Sequence, residues 1–173
     1  MKIIFLDIDG VLQPEYSQQR FSHNLEQLKH DMALTNISFS QLDKYDLGAV
    51  YYDWDPETVN LLRLLCEQES ARIVISSSWR ETRTQECMVA LFNIHGLGEY
   101  VYDMVPFARE RSINRETEIA EYLVSYSELI RKYVIIDDLA LNFDRCDIQR
   151  CFVRCSQSFS EENFNKAKML LSD

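Results

Sequence analysis

Short apolar runs punctuate this chain, and between most of them apolar residues recur every three or four positions. The runs at 2–7, 72–76, 100–105, 132–137 and 149–154 are rich in Ile, Val, Phe and Tyr, and their length predicts strands. A helix over 56–69 is predicted by Asp55-Pro56-Glu57-Thr58, with Asp as N-cap and Pro at the first helical position, followed by Val59, Leu61, Leu62, Leu64 and Leu65. Further helical patterns cover 80–94, 114–127 and 160–171. The last opens at Ser160, where Glu161 and Glu162 suit the positive end of a helix. Strands and helices in this alternation imply an α/β domain with a mainly parallel sheet.

Residues 13–54 break the rhythm. Phe21 to Leu34 reads as an amphipathic helix, followed by an irregular polar and aromatic stretch ending Val50-Tyr51-Tyr52-Asp53-Trp54. A structureless loop of that length is uncommon inside a compact domain. Because it leaves directly after the first strand, the segment is expected to form a small lid over the carboxyl end of the sheet, where α/β folds bind ligands. Padding of one sheet edge is the alternative. The chain therefore reads as one domain, 1–173, carrying a 13–54 insertion whose candidate hinges are Gly10 and Gly48. Phe21, Tyr45, Tyr51, Tyr52 and Trp54 read as the insert's own core, and Tyr51 to Trp54 are nearest the sheet for any substrate contact. His23 and His30, seven residues apart on the insert helix, and His95 before Gly96 read as structural.

Composition narrows the class. With 173 residues, 46% hydrophobic and 12% aromatic, the chain can bury one sizeable core, and four Gly and three Pro argue against disorder. No apolar run approaches the roughly 20 residues that cross a bilayer, so no membrane partner is expected. No signal-peptide pattern precedes the first strand, and the expected location is cytoplasmic. Five cysteines are an odd number. Cys66 and Cys87 fall in helical patterns as small core residues, and the spacing of Cys146, Cys151 and Cys155 matches no common zinc module. A net charge of −10 disfavours a nucleic acid partner held by a broad basic surface, although a local basic pocket stays open.

Three strand ends carry chemistry. In Phe5-Leu6-Asp7-Ile8-Asp9-Gly10, two carboxylates spaced i, i+2 point the same way as the strand frays, and Gly10 permits a sharp turn. Like charges that close call for a divalent cation between them or a proton on one. Arg72-Ile73-Val74-Ile75-Ser76-Ser77-Ser78-Trp79-Arg80 runs an apolar strand into three hydroxyls and a helix, which makes an anion cradle or, alone, an ordinary N-cap. Arg80 can reach a phosphate or pair with an acid such as Glu81. Tyr133-Val134-Ile135-Ile136-Asp137-Asp138 ends a further strand in adjacent carboxylates. Converging carboxylates without His or thiolate favour Mg2+.

Asp7-Ile8-Asp9-Gly10-Val11, Ser76, a basic residue before the fourth strand and Asp137-Asp138 after it, in that order, resemble the four motifs of the haloacid dehalogenase (HAD) superfamily. Ser76-Ser77-Ser78-Trp79-Arg80 with Arg115-Glu116-Thr117-Glu118-Ile119 is similar to a branch of small phosphatase-like domains, some attached to RNA-repair proteins. The resemblance implies a Rossmann-like three-layer α/β/α sandwich around a five-stranded sheet of order 3-2-1-4-5, with the small lid inserted after strand 1. It implies Asp7 as nucleophile forming an aspartyl-phosphate, and Asp9 as general acid and then base. Mg2+ would be held by Asp7, the Asp9 carbonyl and Asp138, with Asp137 in support. Ser76 would hold a phosphoryl oxygen, with Ser77 and Arg80 as further substrate contacts. The superfamily usually has a lysine before the fourth strand. Here Arg115 stands in the best register, with Arg109 and Arg111 as rivals, while Lys132 lies too close to the strand.

Three functions follow as expectations. A phosphatase acting on a phosphorylated small molecule, such as a nucleotide or sugar phosphate, comes first. A nucleic-acid end phosphatase would need a basic track such as Arg80, Arg83, Arg109, Arg111 and Arg115. A noncatalytic Mg2+- or phosphate-binding module would bind without turnover. A phosphorelay receiver is disfavoured, because Asp137-Asp138 stands where it would carry a lysine.

Overall fold

Five parallel strands pair in the order β3-β2-β1-β4-β5 in the computed structural model, which describes residues 1–107 and 114–172. They are β1 (Lys2–Leu6), β2 (Ala71–Ile75), β3 (Val101–Met104), β4 (Lys132–Asp137) and β5 (Phe152–Arg154). Both faces of the sheet are covered, which is why the strands read as continuous apolar runs instead of alternating ones.

Alternation along each strand sorts side chains into two cores. Ile4 and Leu6 of β1, Ile73 and Ile75 of β2, and Val134 and Ile136 of β4 pack with α3 (Pro56–Glu69), α4 (Gln85–Asn93) and α7 (Glu161–Leu171). Ile3, Phe5, Val74 and Ile135 face the opposite layer, against Ile119, Tyr122 and Leu123 of α5 (Arg115–Ser125) and Ile148 of α6 (Cys146–Gln149). The architecture is a Rossmann-like three-layer α/β/α sandwich.

Local signals set the helix starts. Asp55 accepts from the Glu57 amide at 2.8 Å, Asn114 accepts from that of Thr117 at 3.0 Å, and Ser160 and Asn163 form a reciprocal capping box. The helix expected over 80–94 is split. Ser77 caps a short 3-10 turn at Ser78–Glu81, and Thr84 caps a fresh start for α4 by accepting from Cys87. The strand expected from 149 begins at Phe152, because Cys146–Gln149 coils into α6 first.

The insert is folded throughout. It holds a 3-10 turn at Gln19–Ser22, α1 (Leu25–Thr35) capped by Asn24, and a second 3-10 turn at Ile37–Gln41. Then α2 (Lys44–Gly48), capped by Asp43, runs into a π turn at Ala49–Asp53. Leu25, Leu28, Phe39, Leu42, Leu47 and Val50 belong to the same buried cluster as Ile4 and Leu6, so the insert shares the sheet's core. Its aromatics divide: Trp54 is buried against Phe92 and His95, whereas Phe21, Tyr45 and Tyr51 are exposed and so are not the core expected of them. His23 lies before α1 and stacks on Tyr52, off the helix that carries His30. Gly48 is helical, and a Cβ there would meet Leu25 Cδ2 at 2.6 Å, so close helix packing accounts for this glycine. Among the described residues no helix is long and apolar enough to cross a membrane.

Candidate active site

Backbone register builds the site. Leu6 pairs with Ile75 on one side and Ile136 on the other, so the next residues, Asp7, Ser76 and Asp137, stand at one level across three strands. Ladder hydrogen bonds continue past the strand ends: the Asp7 amide donates to Ile136 O at 3.0 Å and the Ser76 amide to Leu6 O at 2.9 Å. Period two also sets the direction. Asp7 follows Ile3 and Phe5, Ser76 follows Val74, and Asp137 follows Ile135, so all three share the face covered by α5.

The first residue of α5 is Arg115, and its Nη1 donates to Asp7 Oδ2 and to Asp137 Oδ2 at 2.5 Å each. Burial works against the guanidinium charge, but Asp7 and then Asp137 outweigh it and hold its pKa above the usual value. Asp137, fully buried, takes the Leu139 amide on Oδ1 at 2.9 Å, yet burial and the nearby Asp7 carboxylate still push its pKa up. Asp138 is raised for the same two reasons. Arg115 thus bonds two of three clustered carboxylates: Asp7, Asp137 and Asp138 each bring one oxygen within 4.8 Å of the others'. Uncompensated negative charge and an all-oxygen donor set fit a hard divalent cation.

Gly10 lets the β1 loop close over this cluster. Its φ is +70°, and a Cβ there would sit 2.5 Å from Asp138 Cγ, so both conformation and proximity demand glycine. The amides of Val11, Leu12 and Gln13 all donate to Ile8 O, winding the loop tightly. Asp9 is carried outward into the crevice, where its Oδ2 accepts from Trp79 Nε1 at 2.9 Å. Desolvation by the crevice walls raises its pKa; the Trp79 bond opposes this and Asp7 adds to it.

Ser76 and its neighbours take different parts. Ser76 is fully buried and, among the described residues, its Oγ has no hydrogen-bond partner, a polar group held toward the site. Ser77 Oγ instead accepts from the Trp79 amide at 3.4 Å and caps the turn. Arg80 turns inward. It is 7% exposed, donates to the carbonyls of Ser76 and Ser77, and pairs with buried Glu118, an acid in α5 and not the neighbouring Glu81. These bonds make it a brace for the Ser76 turn, while it also lines the cleft beside Arg115. Arg83 forms a two-pronged pair with Asp46 at 2.6 Å. Of the expected basic track, Arg80, Arg83 and Arg115 are therefore each engaged with carboxylates, and Arg109 and Arg111 lie outside the described residues. A cleft of about 410 Å3 opens beside Arg115, bordered by Ser78, Phe107 and Leu139.

Sequence reasoning missed Trp79, Glu118 and the Arg83–Asp46 pair. Trp79 sat inside a quoted motif with no role, and Glu118 and Asp46 pair with partners 38 and 37 residues away.

Carboxylates at adjacent tips of a parallel sheet, beside the switch between β1 and β4, with a shared cation and an orphaned hydroxyl, define an α/β domain suited to phosphate esters. A family model described as the HAD domain in Swiss Army Knife RNA repair proteins matches residues 3–164, and the chain belongs to that family. The family supports a phosphatase-type hydrolase in general, and HAD domains generally use Mg2+. No curated protein and no solved structure matches the chain.

Proposed function

We propose that this domain is a Mg2+-dependent phosphomonoesterase working through an aspartyl-phosphate on Asp7. Asp7 attacks phosphorus, the bond to the leaving oxygen breaks, and Asp9 gives that oxygen its proton. Asp9 then takes a proton from the water that hydrolyses the intermediate. Desolvation raises its pKa, the direction that favours the proton-bearing form a general acid needs. Arg115 neutralises Asp7 and steadies the equatorial phosphoryl oxygens, and the orphaned Ser76 Oγ supplies a hydrogen bond to one of them. Asp7, the Asp9 carbonyl and Asp138 would hold Mg2+, with Asp137 in support; when bound, the ion offsets negative charge on the transferring group. The observation that carries this reading is Arg115 fixed between Asp7 and Asp137, with Asp138 beside them, at the tips of β1 and β4.

We read the substrate as a phosphorylated small molecule, such as a nucleotide or sugar phosphate. The cleft beside Arg115 has the size of a small-ligand pocket, and the arginines of the expected basic track that are described are occupied. A nucleic-acid end is the second reading, favoured by the RNA-repair description of the family. Hydrolysis of nitrophenyl phosphate with Mg2+ or chelator, followed by nucleotides, sugar phosphates and phosphorylated oligonucleotides at two salt concentrations, separates them. Chelator-sensitive turnover that prefers small esters and varies little with salt is expected. Turnover confined to oligonucleotides and weakening steeply with salt would select the second reading, and Mg2+ binding without turnover on any ester would leave a noncatalytic module.

A further inference from the structure

The chain has two tryptophans, and they use their indole N–H groups differently. Trp54 packs edge-on to Phe92 and flat on His95, with Nε1 buried and, among the described residues, unpartnered. Trp79 is also buried, 8% exposed, but it turns Nε1 into the crevice and donates to Asp9 Oδ2 at 2.9 Å. Asp9 itself is exposed on a loop, where a carboxyl would sample several rotamers. Among the described residues this is the one side-chain hydrogen bond to it.

Trp79 is held on its own account. Arg83 stacks over the indole ring at 4.5 Å and its Nη1 donates to Trp79 O at 3.1 Å. The same guanidinium grips Asp46 of α2 through Nε and Nη2, both at 2.6 Å. A continuous chain of contacts therefore runs from the insert to the crevice: Asp46, Arg83, Trp79, Asp9.

We propose that Trp79 is a positioning residue that fixes the Asp9 carboxyl for proton transfer, and that the Arg83–Asp46 pair enlists the insert in that task. The inference rests on Asp9 being the general acid. An N–H donated to Oδ2 leaves the proton of the acid form on Oδ1 and turns that oxygen toward the leaving group. As the phosphorus–oxygen bond breaks, its electron pair goes to the leaving oxygen, which takes the Oδ1 proton, while Asp7 forms the new bond to phosphorus. Positioning of this kind matters in proportion to how much the leaving oxygen needs the proton. A phenolate needs it, whereas a dinitrophenolate departs unaided.

The test compares kcat/KM for phenyl phosphate and dinitrophenyl phosphate in wild type, Trp79→Phe and Asp46→Asn. Trp79→Phe keeps a ring and removes the donor. It is expected to lower kcat/KM on phenyl phosphate by about 10–100-fold and to leave dinitrophenyl phosphate within about 3-fold. Asp46→Asn, outside the crevice, should show the same selectivity at about 3–10-fold. Because each variant is read as a ratio between two esters, loss of folded protein cancels. An equal fall on both esters, or no fall on either, overturns the role of Trp79 while the phosphatase reading stands. A wild type that hydrolyses neither these esters nor nucleotides, sugar phosphates and phosphorylated oligonucleotides overturns both together.

Discussion

The strand tips and the insert place their residues by different means. At the tips the backbone does the placing: once Leu6 pairs with Ile75 and Ile136, the period of two puts Asp7, Ser76 and Asp137 on one face at one level. Beyond the apolar core it shares with the sheet, the insert is tied to it by particular polar side chains, Arg83 to Asp46 and His95 to the Val50 carbonyl, across 37 and 45 residues of sequence. A register is shared by every rung of the ladder, so one substitution cannot move it. A side-chain pair can be removed singly. The site's skeleton should therefore be costly to damage and the insert's ties cheap to cut.

Substitutions around the tips should give the largest effects. Glu118→Gln leaves the Arg80 guanidinium buried without a charged partner behind the Ser76 turn, both side chains being under 5% exposed. Removing one partner of such a pair costs about 3 kcal/mol or more, measurable by urea unfolding. Gly10→Ala forces a side chain into positive φ and against Asp138, and should cost about 1–3 kcal/mol while abolishing Mg2+-dependent turnover. Asp46→Asn should cost about 1 kcal/mol or less, because its pair with Arg83 is partly solvated. A stability loss for Asp46→Asn as large as that for Glu118→Gln would break the comparison.

The smallest effect should be a pH dependence. His95 Nε2 meets the Val50 carbonyl at 2.8 Å and its ring lies flat on Trp54. Burial first, and then Arg63, lower its pKa below 6.5, against the opposing pull of the carbonyl. The unfolded chain then takes up the proton first. This contribution to stability is complete above pH 6.5 and falls as pH drops from there through the folded pKa. In thermal melts from pH 7.5 to 5, wild type should lose stability relative to His95→Gln as pH falls, the raised carboxyls of the site acting on both alike; a difference that does not change with pH would remove His95 from the account.

The same contrast explains what was legible in the sequence. Apolar runs that end in Asp7, Ser76 and Asp137 announce both strands and site, because buried parallel strands need continuous apolar sequence and their tips expose the following residues. The sheet order came with the family resemblance. The insert was legible as a folded segment but not in its turns; after β2, likewise, Ser77 and Thr84 carry cap signals close together and both are used, which splits the expected helix. Arg80 could not be assigned from local sequence, since its partner is an acid on a different element that a solvent-exposed reading would never select. Nor could Trp79, whose acceptor lies 70 residues away.

The central claim is that Asp7 becomes phosphorylated. Acid-quenched single turnovers with radiolabelled nitrophenyl phosphate and Mg2+ test it most directly. The account predicts protein-bound label that survives acid, is released by mild base or hydroxylamine, and is missing in Asp7→Asn. Wild-type hydrolysis with no trapped label, or label that persists in Asp7→Asn, would contradict it.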